Sequence, residues 1–154
     1  MILISPNRGS FGWTLAVLHL IRRLVEQIIC FPNDGGSMMH GAAYMLGFLF
    51  YTMVALSVPN HPSSTILWFV GNAIQHVAHG QLFRNRMTNP SKTRPPETLL
   101  FRYMNCPHYF GEMLIYIGLS SCDRTESIAC AVFVIVSLSV NWRNHSRWYS
   151  IQVE

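Results

Sequence analysis

The chain has 154 residues and a formal net charge of +4; half of its residues are hydrophobic and only 12% are charged. A soluble domain carries about 25% charged residues, so this composition, with a mean hydropathy of +0.24, excludes an ordinary soluble domain and fits a single membrane domain. The basic residues cluster at Arg84–Arg102 and Arg143–Arg147, beside apolar runs, which suits loops at a membrane face rather than a nucleic-acid surface.

Met1 to Ser10 lacks the pattern of a cleaved signal peptide and opens almost directly into an apolar helix, as a truncated chain would. The four cysteines (Cys30, Cys106, Cys122 and Cys130) show no C-x-x-C spacing, so neither a zinc site nor a disulfide framework is expected. The first helix is expected over about Gly12–Cys30. It places His19, Arg22, Arg23 and Glu26 at i, i+3, i+4 and i+7, one polar face on an otherwise apolar helix. Charges at membrane depth cost about 2.5–3.5 kcal/mol each, so they must pair or line a cavity. Two arrangements satisfy this: an arginine paired with Glu26 and snorkelling, or an arginine turned inward toward an anionic ligand.

Phe31–Ser37 reads as a turn. The second helix, about Met38–Val58, has no Lys, Arg, Asp or Glu and is long enough to cross about 30 Å of hydrocarbon. Its small residues Gly41, Ala42, Ala43 and Gly47 permit close helix packing, and His40 is assigned no role. Pro59–Pro62 is a second turn, with Ser63 or Ser64 able to cap the helix that follows. That third helix, about Thr65–Met87, begins apolar and ends polar. Asn72, Gln75, His79 and Arg86 share one face. His76-x-x-His79 is too sparse to make a metal site without a third ligand. Arg84 suits a helix end facing anionic lipid.

Thr88–Glu97 is a polar, proline-rich loop containing Arg94, and Leu99–Met104 is a short amphipathic segment. Then comes Cys106-Pro107-His108-Tyr109-Phe110-Gly111-Glu112-Met113-Leu114-Ile115-Tyr116. Pro107 suits the first turn of a helix. His108, Glu112 and Tyr116 recur every four residues, so an oily helix carries an imidazole, a carboxylate and a phenol on one stripe. Such groups inside membrane helices are costly and mark either an interhelical glue or a ligand site. A charged turn, Asp123–Glu126, precedes a fifth helix over about Ile128–Trp142, followed by Asn144–Tyr149. No G-x-G-x-x-G or P-loop pattern occurs, so a dinucleotide could only be held between helices by side chains. The expected fold is all-α: a multi-pass transmembrane bundle of about five helices.

The segment from Cys106 to Tyr116 resembles the S-P-H/N-Y-x-x-E-x-x-I-Y segment of the steroid 5α-reductase superfamily, and most of all its polyprenol reductase branch, which serves dolichol synthesis. Further pieces follow in the family's order: H-x-x-R-R-L-x-E from His19, Q-H-x-x-H from Gln75, Arg94-Pro95-Pro96, and His145 to Tyr149. The resemblance implies an NADPH-dependent reductase of a polyprenol, polyprenal or steroid lipid, multi-pass in the endoplasmic reticulum membrane. It implies cofactor contacts at Arg23, Gln75, His79, Arg86, Arg94, His108, Glu112 and Tyr149, with Glu112 and His108 on the nicotinamide amide and the arginines on the phosphates. It leaves the catalytic acid unassigned. Leu20 stands where the steroid branch has a tyrosine, which disfavours a steroid substrate; a 3-oxo-5α-steroid 4-dehydrogenase or enoyl-CoA reductase of the same superfamily, and a truncated non-catalytic membrane protein, stay as alternatives. Residues 1–154 correspond to the C-terminal part of the family's fold. The upstream helices and the basic tail after Trp148-Tyr149 are then missing, and poor turnover by this chain alone is the expectation.

Overall fold

A computed structural model describes residues 9–30, 41–88, 96–122 and 124–153. They form α1 (Phe11–Cys30), α2 (Gly41–Ser57), α3 (Thr65–Thr88), α4 (Leu99–Tyr103), α5 (Pro107–Leu119) and α6 (Thr125–Val153). The all-helical fold is as the sequence implies, with two differences. The amphipathic segment before Pro107 closes into the separate five-residue helix α4. The last helix does not end near Trp142 but runs through Asn144–Tyr149 to Val153. No glycine or proline interrupts that stretch, and polarity alone does not stop a helix.

The helix starts follow from their caps. Ser10 accepts the Trp13 N–H at 3.2 Å and opens α1. Ser64 accepts the Leu67 N–H at 3.3 Å and opens α3. Ser63 acts between helices instead, its hydroxyl donating to the Ile117 carbonyl of α5 at 2.8 Å. The backbone N–H groups of Ser63 and Ser64 donate to Ser120 and Gly118. The first turn of α3 is therefore stitched to the last turn of α5, and the two helices run antiparallel.

Along that pair the backbones touch. A Cβ on Gly71 would lie 2.6 Å from the Gly111 carbonyl oxygen, and one on Gly111 would lie 2.7 Å from that of Gly71. Gly118 meets the Ser64 carbonyl in the same way, at 2.7 Å. Small residues at such a crossing allow dispersion contacts that larger side chains would forbid. The remaining helices pack around this pair. α1 lies parallel to α3, anchored at its start where the Gly12 N–H donates to the Asn60 carbonyl at 3.1 Å. α2 and α6 close the other side through Phe50 stacked on Phe133, and through Ser57 against Cys130.

The outside of the bundle is oily. Leu24, Ile28, Leu49, Ile66, Phe69, Val132 and Val140 are exposed on the helix surfaces, while His19, Glu26, Gln75 and His79 are buried. That inverts the distribution of a soluble domain and is what a bilayer requires. Among the described residues, Thr125–Arg147 of α6 is long and apolar enough to cross a membrane on its own. α1 and α3 owe their lower hydropathy to the polar stripes they turn inward.

The glycine contact yields a direct test. Gly111→Ala is expected to destabilise the bundle by about 1–3 kcal/mol through overpacking, read as a lower unfolding midpoint in detergent. Gly80→Ala, where nothing lies within 4 Å of the added Cβ, should leave the midpoint unchanged or raise it.

Candidate active site

The inward stripes of α1, α3 and α5 meet in one connected polar network. Asn72, Gln75 and His79 of α3 face His19, Arg22, Arg23 and Glu26 of α1 in parallel register. His19 Nδ1 lies 3.3 Å from Asn72 Oδ1, and its Nε2 lies 3.3 Å from Glu112 Oε1. Arg22 donates to Asn72 at 3.0 Å, and also to Glu26 and Gln75. Gln75 donates in turn to Glu112 of α5. Arg23 donates to Glu26 at 3.1 Å and lies 3.8 Å from Glu112. His76 and His79 bring their Nδ1 atoms to the two oxygens of Glu26, at 3.0 and 2.8 Å. The two histidines of the H-x-x-H spacing thus converge on a carboxylate.

Formal charges within this network balance: Arg22 and Arg23 against Glu26 and Glu112. In an apolar bundle that balance is what allows the four to be ionised together. Of the two arrangements open to the α1 arginines, both guanidiniums adopt pairing with Glu26. Arg23 additionally faces a cavity.

The cavity, of about 250 Å³, has two unlike walls. On one are Arg23, Gln75, His79, His108, Glu112 and the hydroxyl-bearing Tyr51, Tyr109 and Tyr116; on the other are Phe50, Phe133, Val134 and Leu138. Its polar wall is positioned by the α3–α5 contact, because Gly71 and Gly111 each lie one helical turn from Gln75 or His108. Tyr116 is buried where α1, α2 and α5 meet, its ring edge-on to His19 and tilted against Phe50. His108 stacks near Tyr109 and His79, and its Nδ1 is buried with no hydrogen-bond partner.

Of the residues expected to contact a cofactor, Arg23, Gln75, His79, His108 and Glu112 come together on this cavity. Arg86 is exposed in the last turn of α3 and does not line it. Arg94 and the side chain of Tyr149 lie outside the described residues. Sequence reasoning gave no role to Tyr51, Phe133 or Ser137, which α2 and α6 contribute. α2 is apolar on every side, and α6 is apolar around Phe133 and Ser137, so no stripe singles the residues out. Glu26 was visible as a charge, but not as the hub on which two histidines and two arginines converge.

Residues 38–154 match the sequence profile of a family described as 3-oxo-5-alpha-steroid 4-dehydrogenase. The chain belongs to that family. Among curated members of the wider superfamily it is 28% identical to the very-long-chain enoyl-CoA reductase of Dictyostelium discoideum, over 90% of this chain and 50% of the relative. It is 28% identical to the polyprenal reductase of Saccharomyces cerevisiae, over 85% of this chain and 54% of the relative. Against the 3-oxo-5-alpha-steroid 4-dehydrogenase 1 of Mus musculus the identity is 27%, over 94% of this chain and 62% of the relative. The chain spans about half the length of the curated relatives it matches first. No solved structure matches significantly.

The network predicts an asymmetry between its charges. Glu26→Ala strands two guanidiniums inside the bundle and is expected to cost about 3–5 kcal/mol of stability. His76→Ala removes an exposed partner of the same carboxylate and should cost no more than about 1 kcal/mol. Denaturation of both variants in detergent, compared with the parent, measures the difference.

Proposed function

We propose that the chain is an NADPH-dependent reductase acting on a polyprenal-type lipid, the unsaturated precursor in dolichol synthesis, as a multi-pass protein of the endoplasmic reticulum membrane. The observation that carries this reading is the two-walled cavity. Its polar side offers a carboxylate, an amide and imidazoles to a polar reacting group, and its apolar side accepts hydrocarbon. Similarity to the polyprenal reductase of yeast, and to the 31%-identical polyprenal reductase 2 of Arabidopsis thaliana, supports the lipid class.

The residues present fit the nicotinamide end of NADPH. The orphaned His108 Nδ1 lacks the partner that a buried polar atom normally has, and Glu112 and Gln75 offer an acceptor and a donor to a carboxamide beside it. NADPH, when bound, supplies the hydride. Glu112 and His108 would hold the carboxamide, with Gln75 and His79 fixing the Glu112 and Arg23 side chains in place. Arg23 is already paired with two carboxylates, so the dinucleotide phosphates would rest on the basic ends of α3 and α6, which carry Arg86, Arg143 and Arg147, with Arg94 of the loop after α3 as a further candidate. Tyr149 belongs to that same end of α6. The groups on the cavity wall suited to giving a proton to the reduced lipid are the phenols, Tyr116 foremost, because it sits between the polar and apolar walls.

A second reading within the superfamily is a fatty enoyl-CoA reductase, favoured by the 28% identity to the Dictyostelium discoideum relative over most of the chain. Presenting microsomes that carry this chain, and lack polyprenal reduction of their own, with NADPH and either polyprenal or a long 2-enoyl-CoA separates the two. Slow consumption of polyprenal is the expectation; exclusive consumption of the thioester overturns the assignment.

Glu112→Gln should raise the KM for NADPH about tenfold, the loss of one charge-assisted hydrogen bond, with little change in the KM for the lipid; unaltered NADPH kinetics would remove Glu112 from the cofactor site. The basic ends of α3 and α6 should face the cytoplasm. A glycosylation tag placed in the loop between Thr88 and Glu97 should then stay unmodified, and a glycosylated product would reverse the orientation.

A further inference from the structure

Beside the two-walled cavity lies a second hollow of about 230 Å³, lined by Leu46, Leu49, Phe50 and Met53 of α2 and by Glu126, Ala129, Cys130 and Phe133 of α6. Both stripes have the spacing i, i+3, i+4, i+7, so two helix faces meet along about two turns. Its lining is hydrocarbon apart from Glu126 in the first turn of α6. Two residues belong to both hollows: Phe50 and Phe133. Their rings stack at a centroid distance of 5.3 Å and an interplanar angle of 28°. On α6 the first cavity takes the residues from Phe133 onward and the second those up to Phe133. The two hollows therefore adjoin, with one aromatic pair common to both.

We propose that the α2–α6 groove is the binding site for the hydrocarbon chain of the lipid whose reacting end sits in the polar cavity, and that Phe50 and Phe133 form the sill over which the chain passes. This rests on the reductase reading for the identity of the lipid, an isoprenoid enal. The occupant follows from continuity. A molecule with its reacting end at Tyr116, beside the groups assigned to the nicotinamide, must send its apolar remainder past Phe50 and Phe133, where the next available surface is Leu46, Leu49, Met53 and Ala129. Flat aromatic rings accommodate a branched, unsaturated chain by dispersion and edge contact at little conformational cost. The groove would then select by chain length, and the polar cavity by head group.

The test uses the full chain in lipid nanodiscs and an isoprenoid enal bearing a diazirine on its third isoprene unit. After irradiation, adducts are expected on residues 46–53 and 126–133, and excess unlabelled polyprenal should suppress them. Adducts spread over the outward faces of α1 and α3, or adducts indifferent to unlabelled polyprenal, would mean that the groove holds ordinary bilayer chains, and would overturn the proposal. Ala129→Trp fills the groove from an exposed position. It should abolish the groove adducts and raise the KM for a long-chain enal about tenfold, in line with the discrimination of a filled apolar pocket, while a two-isoprene enal is reduced as before. Leu49→Trp, also from an exposed position, should act alike and guards against a folding artefact. Equal loss on long and short enals would refute the length-selecting groove. If no enal is reduced by the parent chain, yet adducts form in the groove and vanish in Ala129→Trp, the reductase reading falls and the groove stands.

Discussion

Everything about this bundle follows from having two guanidiniums inside an apolar wall of helices. Arg22 and Arg23 are only partly exposed there, and their charge is met by Glu26 on their own helix and by Glu112 on α5. The carboxylates in turn recruit His19, His76 and His79, and Gln75 joins the two halves. A network of this kind adds little stability compared with an oily core of the same shape, because desolvation cancels most of the attraction. What it adds is a unique arrangement: α1, α3 and α5 can satisfy these groups in one register.

The α3–α5 contact makes that register rigid. Gly71 against Gly111 and Gly118 against Ser64 leave no room for a Cβ, so the two backbones pack directly on each other. The polar wall of the cavity is therefore built on backbone, whereas the apolar wall is built on side chains of α2 and α6 that can change rotamer. Rigid support under the groups that orient a reacting molecule, with adaptable packing around the remainder, is a common division in sites that must be exact about one end of a ligand and tolerant of the other.

Much of this was legible in the sequence for a plain reason. His19, Arg22, Arg23 and Glu26, and likewise Asn72, Gln75 and His79, interrupt apolar helices at helical spacing, and a polar group there has nowhere to face but inward. The same reasoning found Glu112 and His108. It did not find their partners, since spacing gives a face and not the neighbour across from it. Glu26 as hub, and the convergence of His76 and His79 on it, needed the parallel packing of α1 on α3. Tyr51, Phe133 and Ser137 were invisible because α2, and α6 around Phe133, are apolar all round and any of those faces could have turned inward. The extension of α6 to Val153 was missed because the polar run Asn144–Arg147 reads as a loop, although it contains neither glycine nor proline.

The distribution of charge along the chain also bears on how the bundle is made. α1 leaves the ribosome before α2 to α6, carrying two arginines and one glutamate on its inward face. Within that helix Glu26 can neutralise one positive charge and no more. The counterpart for the second, Glu112, is synthesised only after α2 and α3 have been made. Until α5 arrives, α1 holds an uncompensated charge that the hydrocarbon rejects at about 2.5–3.5 kcal/mol. Such a helix has reason to linger at the insertion machinery or in the headgroup layer, and to enter the bilayer fully only in company. Assembly of this bundle is then as much a matter of helix association as of insertion, with α5 drawing α1 in.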